Sequence, residues 1–198
     1  MERPTPIGAP PSGDFENLLM TVEELATPEG YKAELIRGKI VVSPWSELRC
    51  MKPMKLLRRQ LGAHAPDGHA PDTAPFLFSF AHSERAFGPD LHVADEAAFD
   101  ADGRHADGEA LSLVAELTSV STKDADWQDK LEAYGRQVPV YLILDMQAEE
   151  IAAFWDPSPQ GYRSHTTVSF GKPLHVPAPF DFDLDTAGFA AESAEPAE

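Results

Sequence analysis

Leu111 to Leu117 (Leu-Ser-Leu-Val-Ala-Glu-Leu) and Val140 to Asp145 (Val-Tyr-Leu-Ile-Leu-Asp) are short apolar runs separated by a stretch with helical spacing. Runs of this length and apolarity read as buried strands. Between them, Asp124 to Arg136 places Trp127, Leu131 and Tyr134 at i, i+4 and i+7, after a polar turn from Thr118 to Thr122 that suits a helix start. Gln137-Val138-Pro139 ends that helix. A strand, a helix and a second strand in one sheet make a parallel, right-handed crossover. The centre of the chain is therefore α/β (α+β) in class.

Glu116 lies inside the first of these runs, where a carboxylate is costly unless something compensates it. Asp90, introduced by Pro89, is placed similarly in Pro89 to Ala94, a second short strand joined to the first by an acidic loop from Asp95 to Ala110 with Gly103 and Gly108 as turn residues. If the two strands pair antiparallel with Ala94 opposite Ser112, Asp90 falls opposite Glu116 on the same face, about 5 Å away between Cβ atoms. A hard dication between them keeps both ionised and takes oxygen ligands of the kind magnesium prefers. Two strand-end acids facing water are an equal alternative on these residues alone.

The helix after Glu116 sets Asp126, Lys130 and Tyr134 four residues apart along one flank, with Lys130 projecting towards the carboxylate edge. An Asp126–Lys130 pair is the commoner explanation of such spacing, and a tyrosine beside Trp127 and Leu131 is more often half-buried core than a phosphate contact. His92 shares a face with Asp90 in a regular strand, yet a lone histidine is more often structural. Asp145 ends its strand and reads as a local cap. Cys50 is the only thiol and the seven histidines show no metal-ligand spacing, so nothing here provides for acyl transfer by a cysteine or for a histidine-held zinc.

The remaining order is coarse. Thr21 to Ala26 reads as a short helix with Thr21 and Glu24 at capping-box spacing. Lys32 to Arg37 and Lys39 to Ser43 read as a hairpin about Gly38. Pro53 suits the first turn of a helix carrying Met54, Leu57 and Leu61 on one face. Phe76 to Phe80 is a strand, and Ile151 to Trp155 with Tyr162 to His165 forms an outlying hairpin. With 198 residues, 42% of them apolar, one domain over residues 15–186 is expected between a disordered segment 1–14 and a disordered acidic tail 187–198. No apolar stretch approaches the roughly 20 residues of a membrane span, no signal peptide is evident, and one cysteine gives no disulfide framework, so a cytoplasmic location is expected.

At these residues the chain resembles the Uma-two family of restriction-endonuclease-like proteins, within the PD-(D/E)xK nuclease superfamily. The resemblance rests on Pro89-Asp90, Glu116-x-Thr-Ser119, Asp126-x-x-x-Lys130-x-x-x-Tyr134 and Val138 to Asp145, with Glu34 to Pro44 near the front. It extends to about Phe189. It implies a restriction-endonuclease-like core, a mixed β-sheet flanked by helices with added hairpins. It also implies that Asp90 and Glu116 hold Mg2+ (or Mn2+) with the Leu117 carbonyl as a third ligand, and that Lys130 orients or activates the attacking water. Glu34 is then either a further acid reaching the metal through water or an exposed strand-edge residue. The superfamily's usual lysine, two positions after the glutamate, is Thr118 here, so Lys130 on the helix would replace it. Trp45 stands where relatives often show a histidine, which leaves any such contribution open.

The expected function is therefore a metal-dependent endonuclease, with nucleic acid, DNA above all, as partner. A formal charge of −17 argues against approach to a polyanion. Its distribution softens this, because Arg49, Lys52, Lys55, Arg58 and Arg59 lie close together and no lysine or arginine follows Lys172. That cluster either grips a backbone or is a solvated helix face. A non-catalytic nucleic-acid or protein-binding module with the same fold, and a hydrolase of small phosphate esters, stay open beside the nuclease. So do DNA against RNA, and monomer against homodimer.

Overall fold

The computed structural model describes residues 13–73, 76–118 and 125–190, with the side chains of 125–127 left aside. It opens with helix α1 (Gly13–Glu24), followed by strands β1 (Tyr31–Ile36) and β2 (Lys39–Pro44), helix α2 (Met51–His64), and strands β3 (His69–Asp72), β4 (Leu77–Phe80), β5 (Arg85–Phe87) and β6 (Leu91–Asp95). Next come β7 (His105–Asp107), β8 (Leu111–Thr118), helix α3 (Ala125–Tyr134), β9 (Val140–Asp145), β10 (Glu150–Trp155), β11 (Ser164–Ser169), β12 (Leu174–Val176) and β13 (Phe182–Leu184).

The expected mixed sheet is the six-stranded one, and a five-stranded sheet and a two-stranded ribbon accompany it. Six strands run in the order β11-β10-β9-β8-β6-β3, five in the order β2-β1-β5-β4-β7, and β12 pairs with β13. β8 and β9 are parallel with α3 between them, as the opening motif requires; the remaining pairs of the larger sheet are antiparallel. The β10–β11 hairpin is not outlying, because it continues this sheet as its edge and its second strand is Ser164–Ser169 rather than Tyr162–His165.

Alternation along β8 divides the core. Leu113, Ala115 and Leu117 pack with Leu57 and Leu61 of α2 and with the β12–β13 ribbon. Val114 packs on the other face with Ala133 and Tyr134 of α3 and with Phe78, Phe80 and Phe87 of the five-stranded sheet. Glu116 has the parity of Val114, so it points between the two sheets. On β1, Lys32 and Glu34 share the parity of Ile36, which belongs to that same inter-sheet core. The opposite face of β1, at Leu35, is covered by Phe15, Leu19 and Val22 of α1.

Local chemistry explains the boundaries. Arg37 and Gly38 have φ of 49° and 71°, the positive values that a two-residue hairpin loop between β1 and β2 demands. The helix expected at Thr21–Ala26 is instead the end of α1, and the Thr21 hydroxyl donates to Asn17 O, 2.7 Å, from within the helix rather than capping it. Gly13 and Asp14 are helical, and Phe189 is buried against Phe170, so ordered structure reaches beyond 15–186 at both ends. The loop Asp95–Ala110 carries two short 3-10 segments, Glu96–Asp100 and Gly108–Ala110, and β7. Their Asp95 and Asp107 caps accept from Ala97 N and Glu109 N. The turn expected at Thr118 to Thr122, and Asp124, fall largely outside the described residues.

Candidate functional site

Asp90 sits one residue before β6, and its position follows from register. Leu91 pairs with Ala115, His92 with Val114 and Val93 with Leu113. The expected anchor of Ala94 opposite Ser112 is not formed. A bulge puts Ala94 opposite Leu111, and the Ser112 hydroxyl donates to Val93 O, 3.1 Å. The bulge lies at the far end of the pairing, so the register next to Asp90 is unchanged. Continued one step, it brings Asp90 level with Glu116. There Asp90 Oδ2 accepts from the Leu117 backbone N–H, 2.9 Å.

Between the carboxylates the structure places two ammonium groups. Lys130, one turn before the end of α3, donates to Glu116 Oε1 at 2.9 Å and lies 3.5 Å from Glu34 Oε1. Lys32 lies 3.7 Å from Glu34 Oε1 and 3.6 Å from Asp90 Oδ1, and donates to Gly88 O at 2.7 Å. Glu34 also accepts from Gly88 N, 3.0 Å. All five side chains are at most 9% exposed. Glu34 is therefore not a strand-edge acid, and Lys130 pairs with Glu116 and Glu34; the Asp126 side chain lies outside the described residues.

Lys32 was not singled out from sequence. The available signal was spacing: Lys32 and Glu34 are two apart on a strand, hence on one face, and Ala33 and Leu35, which alternate with them, mark the opposite face as core.

Electrostatics follow from burial and proximity. Desolvation raises the Glu116 pKa to about 6, against the lowering effect of Lys130 and Lys32, while Asp90 and Glu34 add to the rise. Burial pulls both lysines down, but for Lys130 the carboxylates of Glu116 and Glu34 outweigh it and hold the ammonium well above its ordinary value. Lys32 is raised likewise, chiefly by Glu34. Tyr134 is fully buried among Phe80, Phe87 and Tyr141 and donates to Glu116 Oε1, 3.2 Å. With its pKa raised by burial, it stays a neutral donor. That burial turns the Tyr134 hydroxyl towards Glu116 and away from solvent. The hydroxyl orients the glutamate.

The other candidates separate cleanly. His92 is buried against Phe76, Phe78 and Phe99, and burial lowers its pKa to about 4, so it is a neutral core residue. Asp145 Oδ1 accepts from Gln147 N and Ala148 N, the local cap expected. Of the basic cluster, Arg49 pairs with Glu47 at 2.9 Å and Arg58 with Asp72 at 3.0 Å. Lys52, Lys55 and Arg59 are exposed on α2. That helix packs on the sheet face away from Lys130, and only its first turns, Met51 and Met54, reach the cavity that ends on Asp90.

α3 is itself clamped. Arg85, 4% exposed, donates to Asp129 Oδ1 at 3.1 Å and Glu132 Oε2 at 2.8 Å, and Arg37 pairs with the same two acids. Asp129 and Glu132 flank Lys130 in sequence, so this network fixes the turn that carries the lysine.

Among the described residues, no three His, Cys, Asp or Glu side chains group closely enough to hold a metal ion. Two carboxylates and a backbone carbonyl are nevertheless a set that suits magnesium, which is usually held through one or two carboxylates and keeps several waters. Three acids (Glu34, Asp90, Glu116) against two lysines also leave a formal excess of one negative charge in a buried place, which a hard dication would offset. The donor set thus fits the group.

The comparisons agree with this architecture. A solved structure described as a putative nuclease belonging to DUF820, from Anabaena variabilis, superposes with a TM-score of 0.65 at 12% identity, covering 84% of this chain and 94% of its own. At that identity the likeness establishes a shared fold, the restriction-endonuclease-like one. No curated protein matches the sequence. No helix among the described residues is long and apolar enough to cross a membrane. The Uma2 (Uma-two) family profile, described as "Putative restriction endonuclease", matches residues 19–187, and the chain belongs to that family.

Proposed function

We propose that this chain is a metal-dependent endonuclease that hydrolyses phosphodiester bonds, in DNA above all, with Asp90, Glu116 and Lys130 at its centre. The observation that carries the reading is the convergence of two strand-borne carboxylates and a helix-borne ammonium in one buried cluster inside a restriction-endonuclease-like fold. Asp90, Glu116 and the Leu117 carbonyl would hold Mg2+, with Mn2+ as a substitute. A bound ion of this kind supplies positive charge to the phosphoryl oxygens and lowers the pKa of its water.

The residues divide the remaining work. Lys130, whose ammonium is held by the Glu116 and Glu34 carboxylates, would orient or activate the attacking water and add positive charge beside the charge developing on phosphorus. Tyr134 and Lys130 together orient Glu116 through Oε1. Glu34, bonded to Gly88 N, holds the loop that presents Asp90, and Lys32 neutralises both acids. The test is cleavage of plasmid and single-stranded DNA with magnesium or manganese by wild type, Asp90→Ala and Lys130→Ala. Loss of cleavage in both variants supports the assignment, and equal cleavage by all three ends it.

One observation favours a second reading. The chain's net charge of −17 suits a non-catalytic module that meets nucleic acid or protein through a limited surface. Partner binding retained in Asp90→Ala without cleavage by wild type would select that reading.

A further inference from the structure

Trp45 stands at the mouth of the carboxylate and lysine cluster. The residue is 40% exposed, and its backbone N–H donates to Gly30 O, 2.9 Å, which pins it one residue beyond β2. Lys32 Nζ lies 5.3 Å from the ring centroid, and the same ammonium is 3.6 Å from Asp90 Oδ1. The indole is therefore one side chain away from Asp90. It also borders two cavities. One, about 300 Å³, is bounded by Trp45, Met51, Met54, Thr73, Pro89 and Asp90; the other, about 430 Å³, runs past Lys32 and Gly88 to Arg104.

The smaller cavity has the chemistry of a nucleobase site. Its walls combine an aromatic plane with two methionines, which are flat and adaptable respectively, and its polar end is the candidate metal ligand. Lys55 and Arg58 follow Met51 at i+4 and i+7 on α2, both exposed, so a basic flank continues along the helix; Arg58 is engaged by Asp72 and Pro71 O and would exchange Asp72 for a phosphate. A base can enter such a site only when it is unpaired and unstacked. The strongly acidic chain points the same way, because a duplex carries a phosphate charge about every 1.7 Å of its axis, twice the linear density of one strand.

We propose that Trp45 is a stacking platform for an unpaired nucleobase, seated in the cavity that ends on Asp90 while Lys55 and Arg58 hold the adjoining phosphates, and that the substrate is single-stranded or locally unpaired nucleic acid. This rests on reading the Asp90 cluster as a nuclease site. The experiment is equilibrium binding of a short single-stranded oligonucleotide carrying 2-aminopurine, with calcium in place of magnesium, to wild type, Trp45→Phe and Trp45→Ala, and of the matching duplex to wild type.

The expected result is quenching of 2-aminopurine on binding, single-strand affinity lowered about five- to a hundredfold in Trp45→Ala, recovery of most of it in Trp45→Phe, and weaker binding of the duplex. An unchanged unfolding midpoint in Trp45→Ala separates lost stacking from lost fold, and Trp45→Phe serves as the comparison if the alanine variant unfolds. Affinity of Trp45→Ala within about twofold of wild type, which is under about 0.4 kcal/mol, overturns the proposal. So does a duplex that binds as tightly as the single strand, or no binding of either. Because binding is read without cleavage, the two readings fail separately. Trp45-dependent binding with no cleavage would leave the platform and remove the nuclease, whereas cleavage indifferent to Trp45 would do the reverse.

Discussion

Replacing Lys130 by methionine keeps an unbranched side chain but removes the ammonium that lies 2.9 Å from Glu116 Oε1. In wild type the Glu116 carboxyl has a pKa of about 6 against an ordinary 4.5, so the folded state holds this proton more tightly than the unfolded chain. Its contribution to stability is therefore fully present below about 4.5 and is lost as pH rises through about 6. At about 1.4 kcal/mol per pH unit, that loss is about 2 kcal/mol. Without Lys130 the burial remains and the largest lowering charge is gone, so the carboxyl keeps its proton to higher pH. Above about pH 6 the wild type has no further dependence from this group, while the variant goes on losing stability, at most about 1.4 kcal/mol per pH unit, until its own higher pKa is passed. The upper bound is the cost of about 3–5 kcal/mol for removing one partner of a buried pair. The assay is urea unfolding of wild type, Lys130→Met and Lys130→Met/Glu116→Gln at about pH 5 and about pH 8. The single variant should be destabilised mainly at the higher pH, and the double variant should lose that dependence. Equal destabilisation of Lys130→Met at both values would refute the account of Glu116.

The two arginines of the α3 clamp should differ sharply despite sharing partners. Arg85→Ala, at 4% exposure, is expected to lower stability by about 1.5–3 kcal/mol, because Asp129 and Glu132 keep Arg37 but lose charge-assisted hydrogen bonds from a buried cation. Arg37→Ala, whose side chain is 61% exposed, should cost about 0–1 kcal/mol in the same denaturation assay. Gly135→Ala would put a Cβ 2.6 Å from Leu131 O and 2.9 Å from Tyr162 N, backbone atoms that cannot swing away, and a loss of about 1–3 kcal/mol should appear in urea unfolding. Magnesium or manganese should raise the wild-type melting temperature in a concentration-dependent way and leave that of Asp90→Ala unmoved, since only the fold with both carboxylates binds the ion.

Sequence carried the centre of the fold because its signals there were strong. Val140–Asp145 and the helix between it and Glu116 are an unbroken apolar run and a clear period, and β9 and α3 follow them. The Asp90–Glu116 alignment depended on register, and it survived only because the bulge at Ala94 lies at the other end of the pairing. Nothing in Ser112 announces that bulge. The short strands β3, β5, β7, β12 and β13 were not legible, since three or four residues give no period and their pairing is set by tertiary contacts. Lys32 escaped notice for a related reason. A lysine near a strand start reads as solvated until the second sheet that buries it is known. Tyr134 was read ambiguously because spacing gives its helix face but not that the face meets Phe80, Phe87 and Tyr141.

The central claim is that Asp90 and Glu116 hold a divalent ion beside Lys130. Crystals of the wild-type protein soaked in manganese, with data collected to record its anomalous scattering, test this most directly. The account predicts a peak coordinated by Asp90, Glu116 and the Leu117 carbonyl. Saturating manganese with no peak between these carboxylates, Asp90 still facing Lys32 and Glu116 still bonded to Lys130, would contradict it.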